Sequence, residues 1–153
     1  MKKKFILLLL ILASTLVADD LDMKKLKAMK ARAIGPGGMS GRVTSIDVVL
    51  SNTDIIYVGT ASGGLWKSES GGVKWEPIFD DQNAASIGDV AVDPNNHDVI
   101  WVGTGEGNPR NSQSAGFGVY KSIDGGNTWS FKGLGETRNI HRVLINPKNS
   151  DEV

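Results

Sequence analysis

Apolar and polar positions between residues 42 and 133 fall into short runs, and the runs come round twice in one order. Residues Arg42 to Val49 alternate as a half-buried strand does. Ser51-Asn52-Thr53-Asp54 is turn chemistry. Ile55 to Thr60 is an apolar run of strand length, Gly64 to Ser68 a third strand, and Lys74 to Ile78 a fourth. The order then returns as Asp89 to Val92, a turn at Pro94 to Asp98, Val99 to Thr104, Gly118 to Ser122 and Thr128 to Phe131. Gly59 and Gly103 stand 44 positions apart, whereas Ser70 and Asp124 stand 54 apart, so the second unit carries ten extra residues in the loop Gly105 to Phe117. A third unit opens at Arg142-Val143-Leu144-Ile145-Asn146-Pro147, which echoes Asp89 to Pro94.

Each third-to-fourth strand connection carries one octapeptide. Ser122-Ile123-Asp124-Gly125-Gly126-Asn127-Thr128-Trp129 fits Ser-x-Asp-x-Gly-x-Thr-Trp, the Asp-box. Its worn copy places Ser68, Ser70, Gly72 and Trp75 at the equivalent positions, with Lys74 in place of the threonine. Asp-Gly is a tight-hairpin signal, and a carboxylate at that place caps the backbone N–H groups of its own turn. Asp124 is therefore read as turn architecture, not as an acid catalyst or a calcium ligand. A repeated four-stranded unit predicts an all-β chain, a β-propeller of four-stranded antiparallel blades. Blade 1 is expected over about residues 42–80, blade 2 over 86–133 and the start of blade 3 over 140–153, within an incomplete propeller spanning 34–153. A propeller closes with several blades, so the sequence reads as the N-terminal piece of a longer protein whose remaining blades are its first partner.

The chain has 153 residues, 17 basic and 17 acidic, with 19 glycines and no cysteine. Thiolate metal sites, disulfides and a cysteine nucleophile are thereby excluded. Outside the N-terminus no Lys/Arg cluster exists, so nucleic acid is not an expected partner. Lys2-Lys3-Lys4 followed by the apolar run Phe5 to Val17 and then Ala18 has the layout of a signal peptide, assigned to residues 1–18. The run is shorter than the roughly 20 residues of a membrane span. An exported protein is expected, periplasmic, at the cell surface or secreted, with no membrane span after cleavage. Residues 19–33 form a helical or flexible lead-in.

Candidate chemistry is sparse. Pro94-Asn95-Asn96-His97-Asp98 lacks the carboxylates and glycine of a calcium loop. Gly103-Thr104-Gly105-Glu106-Gly107 lacks the Lys-Ser/Thr ending of a phosphate loop. His97 and His141 have no evident Ser and Asp partners for a triad. No cofactor and no metal site is expected. Blade topology puts the loop 105–117 on the same face as Asp80 to Ser86 and Lys132 to His141, opposite the Asp-boxes. Long polar loops on a rigid scaffold are where binding resides. Glu106, Asn108, Arg110, Asn111, Arg138 and His141 are the candidate ligand-binding residues, and Glu106 is the one local candidate for a catalytic acid.

Ile34-Gly35-Pro36, Gly41-Arg42-Val43, Gly63 to Ser68, Asp93-Pro94, Val102 to Glu106 and the Asp-box together resemble secreted bacterial Asp-box (BNR-repeat) propellers, whose repeats are similar to the sortilin N-terminal domain. That resemblance implies a binding scaffold for protein, peptide or glycan ligands. Two enzyme families share the motif. Sialidases use an arginine cluster and a tyrosine nucleophile; here Arg32 to Pro36 matches their first arginine segment loosely, and Tyr57 and Tyr120 lie in predicted strands. Xyloglucan-hydrolase-type propellers carry a first-blade catalytic Asp in a Thr-Asp-Ile-Gly-Gly segment, and the equivalent position in Thr60-Ala61-Ser62-Gly63-Gly64 is Ala61. The sequence therefore reads first as a sortilin-like, non-catalytic binding scaffold. The alternative is a secreted glycoside hydrolase with its catalytic carboxylates mainly outside these residues.

Overall fold

The computed structural model describes residues 42–108 and 113–153. The signal peptide, the lead-in segment, the Arg32 to Gly41 motifs and the candidates Arg110 and Asn111 lie outside the described residues. Eight strands make two four-stranded antiparallel sheets. The first comprises β1 (Val43–Val48), β2 (Ile56–Thr60), β3 (Leu65–Ser68) and β4 (Glu76–Pro77), in that order. The second comprises β5 (Ile87–Val92), β6 (Ile100–Thr104), β7 (Val119–Ser122) and β8 (Ser130–Phe131), likewise in sequence order. The fold is all-β, and the two sheets are propeller blades. The fourth strands are shorter than the sequence pattern indicates, because only two residue pairs join β3 to β4 and two join β7 to β8.

The two blades agree down to their irregularities. The register shifts between Val43 and Ser45 in the first and between Ile87 and Asp89 in the second. Tyr57 faces Lys67 across β2 and β3, and Trp101 faces Lys121 across β6 and β7. The core lies between the sheets. Tyr57, Leu65 and Phe79 from the first blade pack with Ile87, Val90, Ile100, Val102 and Tyr120 from the second. Phe79 meets the Tyr120 and Trp129 rings edge-on at 5.1 and 5.0 Å. Each large side chain buried there contributes about 1.5–3 kcal/mol.

Glycine at 59 is required by this joint: a Cβ there would lie 2.6 Å from Ile87 Cγ2. Polar contacts bind the same boundary. Thr44 Oγ1 donates to Ile87 O at 2.7 Å. Val92 N donates to Asp47 Oδ2 at 2.7 Å. Ser45 Oγ donates to Asp89 and accepts from Val90 N. Trp129 Nε1 reaches Ile78 O at 2.7 Å.

The octapeptide turn holds itself together through the side chains of Ser122, Asp124 and Thr128. Ser122 Oγ accepts from Gly126 N at 2.9 Å and donates to Asp124 Oδ1 at 2.7 Å. Asp124 accepts from Thr128 N at 2.8 Å and from Thr128 Oγ1 at 2.6 Å. In the first blade Ser70 Oγ takes over the backbone part of this work, accepting from Lys74 N at 2.8 Å, while Ser68 Oγ accepts from Gly72 N. Neither hydroxyl-to-carboxylate bond has a counterpart there, since Ser70 replaces the aspartate and Lys74 the threonine.

Residues 142–145 do not form a strand, although their sequence repeats that of β5. A strand requires a neighbour on its ladder, and no described residue pairs with this segment. Its side of the blade boundary is nevertheless set: Val143 N donates to Asp89 Oδ2 at 2.8 Å, as Val90 N does to Ser45 Oγ.

Candidate functional site

The second-to-third strand loop of the second blade and the links between blades come together on one face. Gly105 N donates to Ser86 O, Gly116 N to Arg138 O and Ile140 N to Thr104 O. Thr104 pins the ends of the long loop. Its fully buried hydroxyl donates to Gly118 O at 2.7 Å and accepts from Phe117 N at 2.7 Å. Thr60 does the same for the short loop of the first blade, through Gly64 O and Gly63 N. The ten-residue expansion is thus closed by the same threonine clasp as its short counterpart.

Glu106 stands at the centre of this face and is turned inward, with its side chain 2% exposed. Its carboxylate pairs with the Arg42 guanidinium, which remains 43% exposed. Its backbone N–H donates to Ser86 Oγ at 2.9 Å, and its carbonyl accepts from Asn139 Nδ2 at 2.6 Å. Arg42 and Ser86 immediately precede β1 and β5, and Asn139 holds the equivalent place before the third unit. Three repeat-equivalent side chains therefore converge on one residue. The sequence reading named Glu106 but missed Arg42, Ser86 and Asn139. Aligning the units on their first strands would have found them as three polar residues at one repeat position.

The remaining candidates are more open. Asn108, Arg138 and His141 are exposed. The His141 ring lies over Gly107, where a Cβ would come within 2.7 Å of its Cγ. Ala61 is buried, and its N–H donates to Arg42 O at 2.9 Å. A polar groove of about 470 Å³ runs beside this region along β1, β5 and residues 141–145. It holds two carboxylates, Asp47 and Asp89, but both accept backbone N–H groups of the neighbouring unit. Their chemistry is spent on joining blades. Asn108, Arg138 and His141 are exposed on this face, whereas the Asp47, Asp89 and Glu106 carboxylates are all engaged in contacts between units.

No protein-family model matches the chain, and no curated protein matches it. Solved structures do. An ancestral GH74 enzyme superposes with a TM-score of 0.56 at 25% identity, over 72% of this chain and 15% of that one. The GH74 enzyme of Niastella koreensis gives 0.53 at 24% identity, over 69% of this chain and 16% of that one. The structural neighbours are GH74 glycoside hydrolases. The chain spans about a sixth of their length or less.

Proposed function

We propose that these blades belong to an exported propeller protein that acts on glycans, a glycoside hydrolase of BNR-repeat type, to which they contribute carbohydrate-binding surface. The observation that carries the reading is the face organised around Glu106. There the exposed Asn108, Arg138 and His141 accompany a half-exposed Arg42 on a rigid scaffold whose fold is that of GH74 enzymes. Catalytic carboxylates would come from other parts of the polypeptide, because Ala61 has no proton to give and Glu106 is committed to Arg42. Polar and cationic side chains of this kind bind sugar hydroxyl and carboxylate groups through hydrogen bonds.

One observation favours the second reading, a sortilin-like scaffold for protein or peptide ligands: the position of the family acid holds alanine. Affinity electrophoresis of the chain through gels containing neutral β-glucans, mannans or acidic polysaccharides separates the two. Retardation by at least one polysaccharide, weakened by Arg138→Ala or His141→Ala, is expected. Free migration through every gel would overturn the glycan reading. Reducing-end release by the two blades alone would overturn the assignment of catalysis to other parts of the polypeptide.

A further inference from the structure

The four tryptophans of the chain differ in one respect. Trp66 Nε1 donates to Gly63 O, Trp75 Nε1 to Gly72 O and Trp129 Nε1 to Ile78 O. Trp101 Nε1 is buried and has no acceptor among the described residues. A buried donor left unpaired is costly.

The repeat identifies the partner of Trp101 Nε1. Trp101 occupies in β6 the place that Tyr57 occupies in β2: each faces a lysine on the next strand, and each lies under that lysine, with Nζ 5.7 Å from the Tyr57 ring and 5.0 Å from the Trp101 ring. Tyr57 is 1% exposed because the octapeptide turn of the following blade covers it, and its hydroxyl donates to Gly125 O at 3.2 Å. Trp101 stays half-buried with nothing in that place.

The inner part of the same joint has already been laid down beside the second blade. Ile140 sits over Gly103 as Ile87 sits over Gly59, with a Cβ at either glycine meeting the isoleucine Cγ2 at 2.5 or 2.6 Å. Val143 N bonds to Asp89 as Val90 N bonds to Ser45. A second copy of the chain could not dock there head-to-tail, because its β1 would need the space that residues 140–145 fill.

We infer that Trp101 is the docking point for the outer strands of a third blade built on residues 142–145, and that its Nε1 donates to a backbone carbonyl of that blade's third-to-fourth strand turn. The observation goes beyond the glycan reading and does not depend on it.

A chain extended after Val153 by a second copy of residues 101–133 tests the inference. Asp151 matches Asp98, so Val153 falls where Ile100 stands and the copy continues the blade in register with an octapeptide turn. The readout is hydrogen exchange at the four indole N–H groups by NMR. In the 153-residue chain the Trp101 indole exchanges faster than those of Trp66, Trp75 and Trp129. In the extended chain it slows by about tenfold or more, as expected for a group shielded by a stable unit. Trp101→Phe, which keeps the apolar ring and removes the donor, then lowers the melting temperature of the extended chain more than that of the parent. An extension that folds without slowing Trp101 overturns the inference. So does an extension that stays unfolded beside this face, or a Trp101→Phe effect equal in both chains.

Discussion

Arg42, the residue before β1, holds the carboxylate of Glu106, two residues past the end of β6, across the boundary between the blades. The pair is unequal: the carboxylate is buried and the guanidinium is 43% exposed. Removing the arginine leaves a buried charge uncompensated, whereas removing the carboxylate leaves a cation that water can solvate. Arg42→Ala is expected to cost about 3 kcal/mol, the lower end for breaking a buried pair. Glu106→Gln, which keeps hydrogen-bonding capacity, should cost about 1 kcal/mol. Urea unfolding of both single variants and the double variant checks the order. Equal costs would mean that the buried carboxylate draws its stabilisation from elsewhere.

Asp124 makes stability depend on acidity. Hydrogen bonds from the Thr128 hydroxyl and N–H, and then from Ser122, lower its pKa to about 2. An unfolded aspartate titrates near 3.9. A depressed folded value means that this contribution is fully present above about pH 4 and is lost as pH falls through about 2. Melting temperatures from pH 6 to pH 2 should fall more steeply for the parent than for Asp124→Asn. Parallel curves would show that the carboxylate gives the turn nothing that an amide does not.

At Gly59 the second blade packs directly onto the backbone of β2. Gly59→Ala drives a methyl group into Ile87 Cγ2, 2.6 Å away, and overpacking of this kind costs about 1–3 kcal/mol. Ile87→Ala alone opens a cavity, but in the double variant the added methyl fills part of it. The double variant should therefore lose less stability than the two single variants lose together, as a double-mutant cycle in chemical denaturation will read.

Thr104 separates loop closure from sheet formation. Thr104→Val keeps the shape and removes the hydroxyl, leaving Gly118 O and Phe117 N without their side-chain partner. The expected loss is about 1–3 kcal/mol. Hydrogen exchange should rise across residues 105–118 while β5 stays protected. Any polysaccharide retardation should weaken with it, because the same clasp fixes the face that carries Asn108. An unchanged loop would assign its order to the backbone bonds from Gly105 and Gly116 instead.

The open faces of the two blades show why strand pattern and burial part company. Ile100, Val102 and Tyr120 are buried, while Ile56, Val58 and Trp66, their equivalents in the first blade, are half-buried, and Ile46 is 62% exposed where Val90 is 4%. The sequence writes the same apolar positions in both units. Which of them lose their water depends on whether another sheet lies against them.

The strand order, the antiparallel pairing and the octapeptide turns were legible in the sequence, because period-two alternation, Gly-rich turns and the Ser-x-Asp pattern are local chemistry that needs no distant partner. The position of the long loop among the inter-blade links was legible too, since it follows from strand order alone. The inward turn of Glu106 was not. A glutamate in a Gly-rich loop reads as solvent-facing until Arg42, Ser86 and Asn139, brought from three separate units, close around it. The missing strand at 142–145 has the same origin, because β structure is a property of pairs. Sequence determined the repeating sheet and its turns by near-neighbour physics; only the tertiary structure, by stacking one unit on the next, decided which side chains were buried, paired or left to bind.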